Sequence, residues 1–204
     1  MKIFTPLLVA LFLLGGCSSK GGTTSSGDGL GVQTTQGDLL LLTSLIVNDS
    51  PSVDAIQDIC DIPDDPDEDP TLEPGLSTTF GTLTINSRDL MDSSGLTPIE
   101  FFPEGVSFDR YRVSFIPANS FAPNLRDRVY LQTMTLPNGT STASFQVVLV
   151  DLDLTLPEFA AQTSGSIASY NVKVTASGAE FNGTPIDVSA TTFLEMGNFD
   201  RCST

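Results

Sequence analysis

Apolar and polar positions divide this chain into three regimes. From Pro6 to Leu14 the residues are continuously apolar, after a short positive start at Lys2. That run is too short to span a bilayer and suits the core of an export signal. Residues 17–37 are rich in Ser, Gly and Thr and lack any period. They predict a flexible tether, and about 20 such residues span roughly 25 Å. Beyond Leu76 the pattern turns to short alternating runs separated by turn residues, the mark of β-structure.

The alternation can be followed strand by strand. Thr78–Ile85 is rich in β-formers. In Arg110–Phe115, Tyr111, Val113 and Phe115 fall on one face and Arg110, Arg112 and Ser114 on the other. Val129–Leu136 and Thr142–Val150 flank Asn138-Gly139, and Asn-Gly supplies the positive φ of a tight hairpin. Ile167–Thr175 and Ile186–Leu194 flank Asn182-Gly183 in the same way. The last run alternates Ile186, Val188, Ala190 and then shifts phase to Phe193, which predicts a bulge. About seven strands with little helical periodicity predict an all-β, immunoglobulin-like antiparallel β-sandwich over 76–204, with a small barrel as the alternative. The tryptophan characteristic of antibody domains is absent, so the likeness is one of architecture.

Two segments precede that domain. Residues 38–60 open with Leu39-Leu40-Leu41-Leu42-Thr43-Ser44-Leu45-Ile46-Val47. No basic residue accompanies them to meet anionic lipid, so a first strand or short packed element is favoured over a membrane-surface one. Residues 61–75 hold Pro63, Pro66, Pro70 and Pro74 among six Asp or Glu from Asp61 to Asp69 and one at Glu73. Proline and charge repulsion make this an extended acidic loop.

Composition then narrows the function. The net charge is −16, with no Lys or Arg between Gly21 and Ser87, which disfavours nucleic acid as a partner. There is no histidine, so His-based triads, general bases and metal ligands are excluded together. Leu14-Gly15-Gly16-Cys17 closes the apolar run and resembles the bacterial lipobox. The resemblance implies that residues 1–16 are removed and that Cys17 becomes the acylated first residue. Ser18, where an aspartate would favour the inner membrane, points to the outer membrane. Cys60 and Cys202 then form an even pair in an oxidising compartment, a disulfide candidate contributing up to about 4–5 kcal/mol. The alternative is two buried free thiols.

Val53-Asp54-Ala55-Ile56-Gln57-Asp58-Ile59-Cys60, the strand Tyr111–Phe115 and the ending Gly197-Asn198-Phe199-Asp200-Arg201-Cys202 resemble a group of uncharacterised lipoproteins with an immunoglobulin-like domain from Geobacter-like bacteria. The resemblance implies pairing of Cys60 with Cys202, and with it a clasp from the segment before the acidic loop to the end of the last strand. It implies no activity.

Several constellations invite chemistry. Asp65, Asp67 and Asp69 have the D-x-D-x-D spacing of half a calcium loop, but Pro70 stands where glycine is needed and Leu76 where a bidentate glutamate is needed. A solvated acidic linker is the better reading. Asp151 and Asp153 share a face at a strand exit, where a turn-capping role outweighs a carboxylate-pair hydrolase. Ser18-Ser19-Lys20 lies in the tether, where nothing orients a nucleophile. Arg110, Arg112, Arg126 and Arg128 form the main basic concentration, suited to an acidic ligand, to the acidic loop or to plain solubility, and Lys173 stands alone on a polar strand face. Asn48-Asp49-Ser50, Asn138-Gly139-Thr140 and Asn182-Gly183-Thr184 match the glycosylation pattern and read as turns. The expectation is a non-enzymatic, lipid-anchored binding or scaffolding module of the cell envelope, partnered by another envelope protein. A calcium-stiffened spacer and a carboxylate-based envelope polymer hydrolase are the alternatives.

Overall fold

The computed structural model describes residues 32–36, 39–60, 71–72, 75–89, 105–137, 141–163 and 166–199. It is all-β with two main sheets, one of them curled, and almost no helix. The strands are β1 (Val32–Gln36), β2 (Leu39–Val47), β3 (Ser52–Asp54), β4 (Ile59–Cys60), β5 (Thr71–Leu72), β6 (Thr79–Asp89), β7 (Val106–Pro117), β8 (Arg128–Leu136), β9 (Ser141–Val150), β10 (Ala168–Glu180) and β11 (Pro185–Gly197). One six-residue helix, α1 (Thr155–Ala160), follows β9.

One sheet has the order β1-β2-β6-β9 and the other β3-β11-β10-β7-β8, while β4 and β5 pair alone. Neighbours are antiparallel except β3, which runs parallel to β11 through Ser52–Asp54 and Glu195–Gly197. The chain therefore crosses from the first sheet to the second between Val47 and Ser52. Alternation explains the faces. Tyr111, Val113 and Phe115 of β7 and Tyr170, Val172, Val174 and Ala176 of β10 are buried, while Arg110, Arg112 and Lys173 are exposed. Opposite them lie Leu41 and Leu45 of β2, Leu83 and Ile85 of β6, and Val147 and Leu149 of β9.

Two hydrogen bonds tie the sheets across this core. Thr43 Oγ1 on β2 donates to the Ser189 carbonyl on β11 at 2.7 Å. The Val148 N–H on β9 donates to Tyr111 Oη on β7 at 2.9 Å.

Several expectations shift. β1 falls inside the 17–37 stretch read as tether, because backbone pairing to β2 orders a polar pentapeptide. β2 and β3 are strands of the two sheets, so the sheets draw on residues 39–54 as well as on strands beyond residue 76. The bulge expected at Phe193 is not there, since the β10–β11 register runs unbroken from Ala168↔Met196 to Ala179↔Pro185. Thr192 keeps the inward phase and Phe193 simply projects outward, 41% exposed. The irregularity sits instead between β10 and β7 at Ser177/Gly178. There a Cβ on Gly178 would stand 2.1 Å from the Ser107 carbonyl oxygen. The predicted turn at Asn182-Gly183 forms, with Gly183 at φ +92°. The turn at Asn138-Gly139 lies outside the described residues.

Candidate functional site

Cys17, Cys202, Asp65, Asp67 and Asp69 lie outside the described residues. So do residues 1–16 and Ser18-Ser19-Lys20. Cys60 belongs to β4, whose backbone pairs Ile59↔Leu72 and Cys60↔Thr71, so a two-residue strand stands within the 61–75 stretch expected to be an extended loop. The backbone just before that segment is held to the end of β11. The Ala55 N–H donates to the Gly197 carbonyl at 2.8 Å. Asn198 Nδ2 donates to Asp58 Oδ2 at 2.5 Å. Asp54 is buried, and its Oδ1 accepts from the Ile56 N–H at 3.3 Å and the Phe199 N–H at 3.4 Å.

Asp151 and Asp153 do not converge on a cleft as a pair. Asp151 Oδ1 accepts from the N–H groups of Asp153 (2.8 Å) and Leu154 (3.1 Å). The Asp151 carbonyl takes those of Thr155 and Leu156. Asp151 thus closes the turn that leads from β9 into α1, whose N-cap is Leu154, and Asp153 is exposed. Asp151 Oδ2 also accepts from Tyr130 Oη at 3.5 Å. Tyr130 stacks on Tyr111 with ring centroids 5.1 Å apart. Burial, reinforced by the Asp151 charge, pushes the Tyr130 phenol up to about 12. Burial likewise raises Tyr111 and Tyr170.

The basic concentration splits. Arg128 Nη2 pairs with Glu158 of α1 and donates to the Leu154 carbonyl at 3.0 Å. The Arg126 N–H donates to Glu158 Oε1 at 3.3 Å, while its guanidinium stays 86% exposed. Arg110 and Arg112 point the other way, onto the outer face of the five-stranded sheet, as does Lys173.

The loop 118–127 between β7 and β8 was not singled out by sequence reasoning. It is fixed at several points. The Ala118 N–H donates to the Ser169 carbonyl at 2.7 Å. Asn119 Nδ2 lies within bonding distance of the Ile167 carbonyl (3.2 Å) and Ser169 Oγ (3.1 Å). Asn119 Oδ1 accepts from the Phe121 N–H at 3.2 Å, an Asx turn. Tyr170 Oη donates to the Pro123 carbonyl at 2.9 Å. The bonds converge on one result: Phe121 is held 65% exposed on a fixed backbone. Exposed Ile116, Ile167 and Phe193 lie on the adjoining sheet face. Their outward phase was available from alternation, since Ile116 follows Arg110, Arg112 and Ser114, and Ile167 precedes Ser169, Asn171 and Lys173. Phe121 had no periodic signal.

A cleft of about 490 Å³ between Ala55–Gln57, Leu76 and α1 is lined by Leu152, Leu156 and Pro157. Among the described residues no group of three or more His, Cys, Asp or Glu is placed to hold a metal ion. Among them, too, no helix is long and apolar enough to cross a membrane. Compared with family models, with curated proteins and with solved structures, the chain matches none.

Proposed function

We propose that this chain is a lipoprotein of the cell envelope, anchored through Cys17 and working by binding or scaffolding another envelope protein. The observation that carries the binding role is the 118–127 loop. Recognition surfaces favour aromatic anchors whose backbone is fixed before the partner arrives, because little ordering entropy is then lost on contact. Anchoring rests on Leu14-Gly15-Gly16-Cys17 after the apolar run, and Ser18 favours the outer membrane.

The scaffold is read as an immunoglobulin-like sandwich, and the strand order supports this. β2-β6-β9 matches A-B-E of that architecture, and β3-β11-β10-β7-β8 matches A′-G-F-C-C′. The first strand divided between two sheets, with its second half parallel to the last strand, fits the same plan. In this reading β1 is an added edge strand, and a Cys60–Cys202 bridge would reinforce the backbone contacts between residues 54–58 and 197–199. The resemblance to immunoglobulin-like lipoproteins is architectural, with no matching family behind it.

The test has two arms. Cells making the wild-type chain should incorporate labelled palmitate into it, and the Cys17→Ser chain should not. Crosslinking in intact cells should recover a reproducible protein neighbour that Phe121→Ser removes. Loss of neither label nor neighbour in these variants would refute the respective half of the proposal.

A further inference from the structure

We propose that Asn182 is a site of self-modification held in check by Glu180. When the β10–β11 turn opens, the side-chain amide is lost to water through a cyclic imide, and the turn cannot close again as before. The ladder of β10 with β11 ends at Ala179↔Pro185, and Glu180 to Thr184 make the reversal. The Glu180 N–H donates to the Thr184 carbonyl and the Gly183 N–H to the Glu180 carbonyl, both at 2.8 Å. The chain needs a positive φ at Gly183, +92°, which is why a residue without a side chain follows Asn182. That requirement creates the chemistry. The Gly183 nitrogen is a backbone nucleophile with no side chain to shield it, next to the Asn182 amide carbon, and residues 181–184 are exposed to water.

The step balances with water alone. The Gly183 nitrogen attacks Asn182 Cγ, a C–N bond forms between them, and the Cγ–Nδ2 bond breaks. The proton from Gly183 reaches the leaving nitrogen through water, and ammonia departs. A water molecule then opens the five-membered imide at one of its two carbonyls. The product is aspartate or its isomer, in which the backbone runs through the side-chain carbon. Nothing is oxidised or reduced.

The folded turn restrains the atoms of that step. Asn182 Oδ1 accepts from the Thr184 N–H at 2.8 Å. Asn182 Nδ2 donates to Glu180 Oε2 at 2.8 Å. These partners fix the orientation of the amide, since the N–H needs its oxygen and the carboxyl its NH₂. For Cγ to close a ring on the Gly183 nitrogen, the amide must leave both partners, and Gly183 must give up the proton it shares with the Glu180 carbonyl. Glu180 is 5% exposed, and its Oε1 is buried with no hydrogen-bond partner. An acid so placed is a poor choice for stability alone. Among the described residues, the hydrogen bond its side chain makes is the one to Asn182. Conversion removes that donor and sets a second carboxyl against Glu180. Both oxygens of a buried acid are then without a donor, so the change runs one way and marks a turn that has opened.

The full chain is aged in mildly alkaline buffer, and the peptide that holds Asn182 is followed by mass spectrometry. Conversion in the folded chain should be about 10- to 100-fold slower than in the same chain unfolded in guanidinium chloride, the weight of the hydrogen bonds that must break. Glu180→Ala, with its fold confirmed by circular dichroism, should lose most of that protection. Glu180→Gln keeps an oxygen for Nδ2 and should retain it. Equal rates in the folded and unfolded chains overturn the proposal, as does a folded Glu180→Ala chain that ages no faster than wild type. Asn182→Asp tests the product directly, and decides the matter if Glu180→Ala does not fold. It should lower the urea midpoint, and adding Glu180→Gln, which returns an N–H to the pair, should recover it. An Asn182→Asp chain as stable as wild type, or one that Glu180→Gln does not rescue, overturns the proposal.

Discussion

Replacing Tyr111 with phenylalanine removes one oxygen from the centre of the molecule. Tyr111 is 2% exposed, and its hydroxyl accepts the Val148 N–H at 2.9 Å. The pairing partner of β9 is irregular just there, where the register shifts between Thr79 and Phe80. The phenol therefore stands in for a ladder carbonyl at a bulge. The Tyr111–Tyr130 stack keeps its ring and its 5.1 Å spacing in the variant, so little apolar contact is lost. What remains is a part-buried N–H without its acceptor, and such a group costs about 1–3 kcal/mol. For a domain of this size that corresponds to a fall in melting temperature of roughly 2–12 °C. Urea unfolding should show a lower midpoint with an unchanged slope, since the surface exposed on unfolding is the same. Tyr130→Phe serves as the comparison. Its hydroxyl bond to Asp151 is long, 3.5 Å, and half-exposed, so its loss should cost about 0.5 kcal/mol or less. A Tyr111→Phe chain as stable as wild type, or less affected than Tyr130→Phe, would refute the assignment of the inter-sheet bond.

Three further outcomes are expected. Gly178→Ala should destabilise by about 2 kcal/mol or more in thermal melts, because its Cβ would meet the Ser107 carbonyl at 2.1 Å and backbone must move. Arg128→Ala should cost about 1–3 kcal/mol and expose the α1 segment to protease, since Arg128 is 16% exposed and holds both Glu158 and the Leu154 carbonyl. Arg126→Ala, at an 86% exposed guanidinium, should change stability by about 0.5 kcal/mol or less. All three tyrosines of the chain have phenols raised above 10, Tyr130 to about 12. A raised phenol favours the folded state fully below the unfolded value, so stability should fall as pH rises from about 10 toward 12. Ultraviolet titration should show little phenolate at pH 10 while the protein stays folded, and ordinary ionisation there would contradict the burial.

The strands with strict alternation were legible because one face of each is buried. Tyr111-Val113-Phe115 and Tyr170-Val172-Val174 announce their inward phase directly. β1 was not legible, because Val-Gln-Thr-Thr-Gln carries no period and becomes a strand only by borrowing the edge of β2. β3 is three residues long, and its parallel pairing with β11 joins positions more than 140 apart. Phe193 misled because an exposed aromatic imitates a phase shift. α1, six residues with Pro157 inside, is too short for helical periodicity, and its N-cap Leu154 carries no capping side chain to announce it. The candidate surface was half legible. Lys173, Arg110 and Arg112 could be put on polar faces from sequence, but which strands lie side by side, and so which residues form a row, is set by long-range pairing. Phe121 acquires its position from Asn119 and Tyr170, whose partners lie more than 40 residues away.

The account stands on Cys17, because the proposed envelope role presupposes a membrane beside the domain. Mass analysis of the amino-terminal peptide of the protein purified from membranes tests it most directly. The account predicts a chain that begins at Cys17 and carries a diacylglyceryl group, absent from the Cys17→Ser variant, which should appear in the soluble fraction. A chain that begins elsewhere, or one that retains Cys17 as an unmodified thiol, would contradict it.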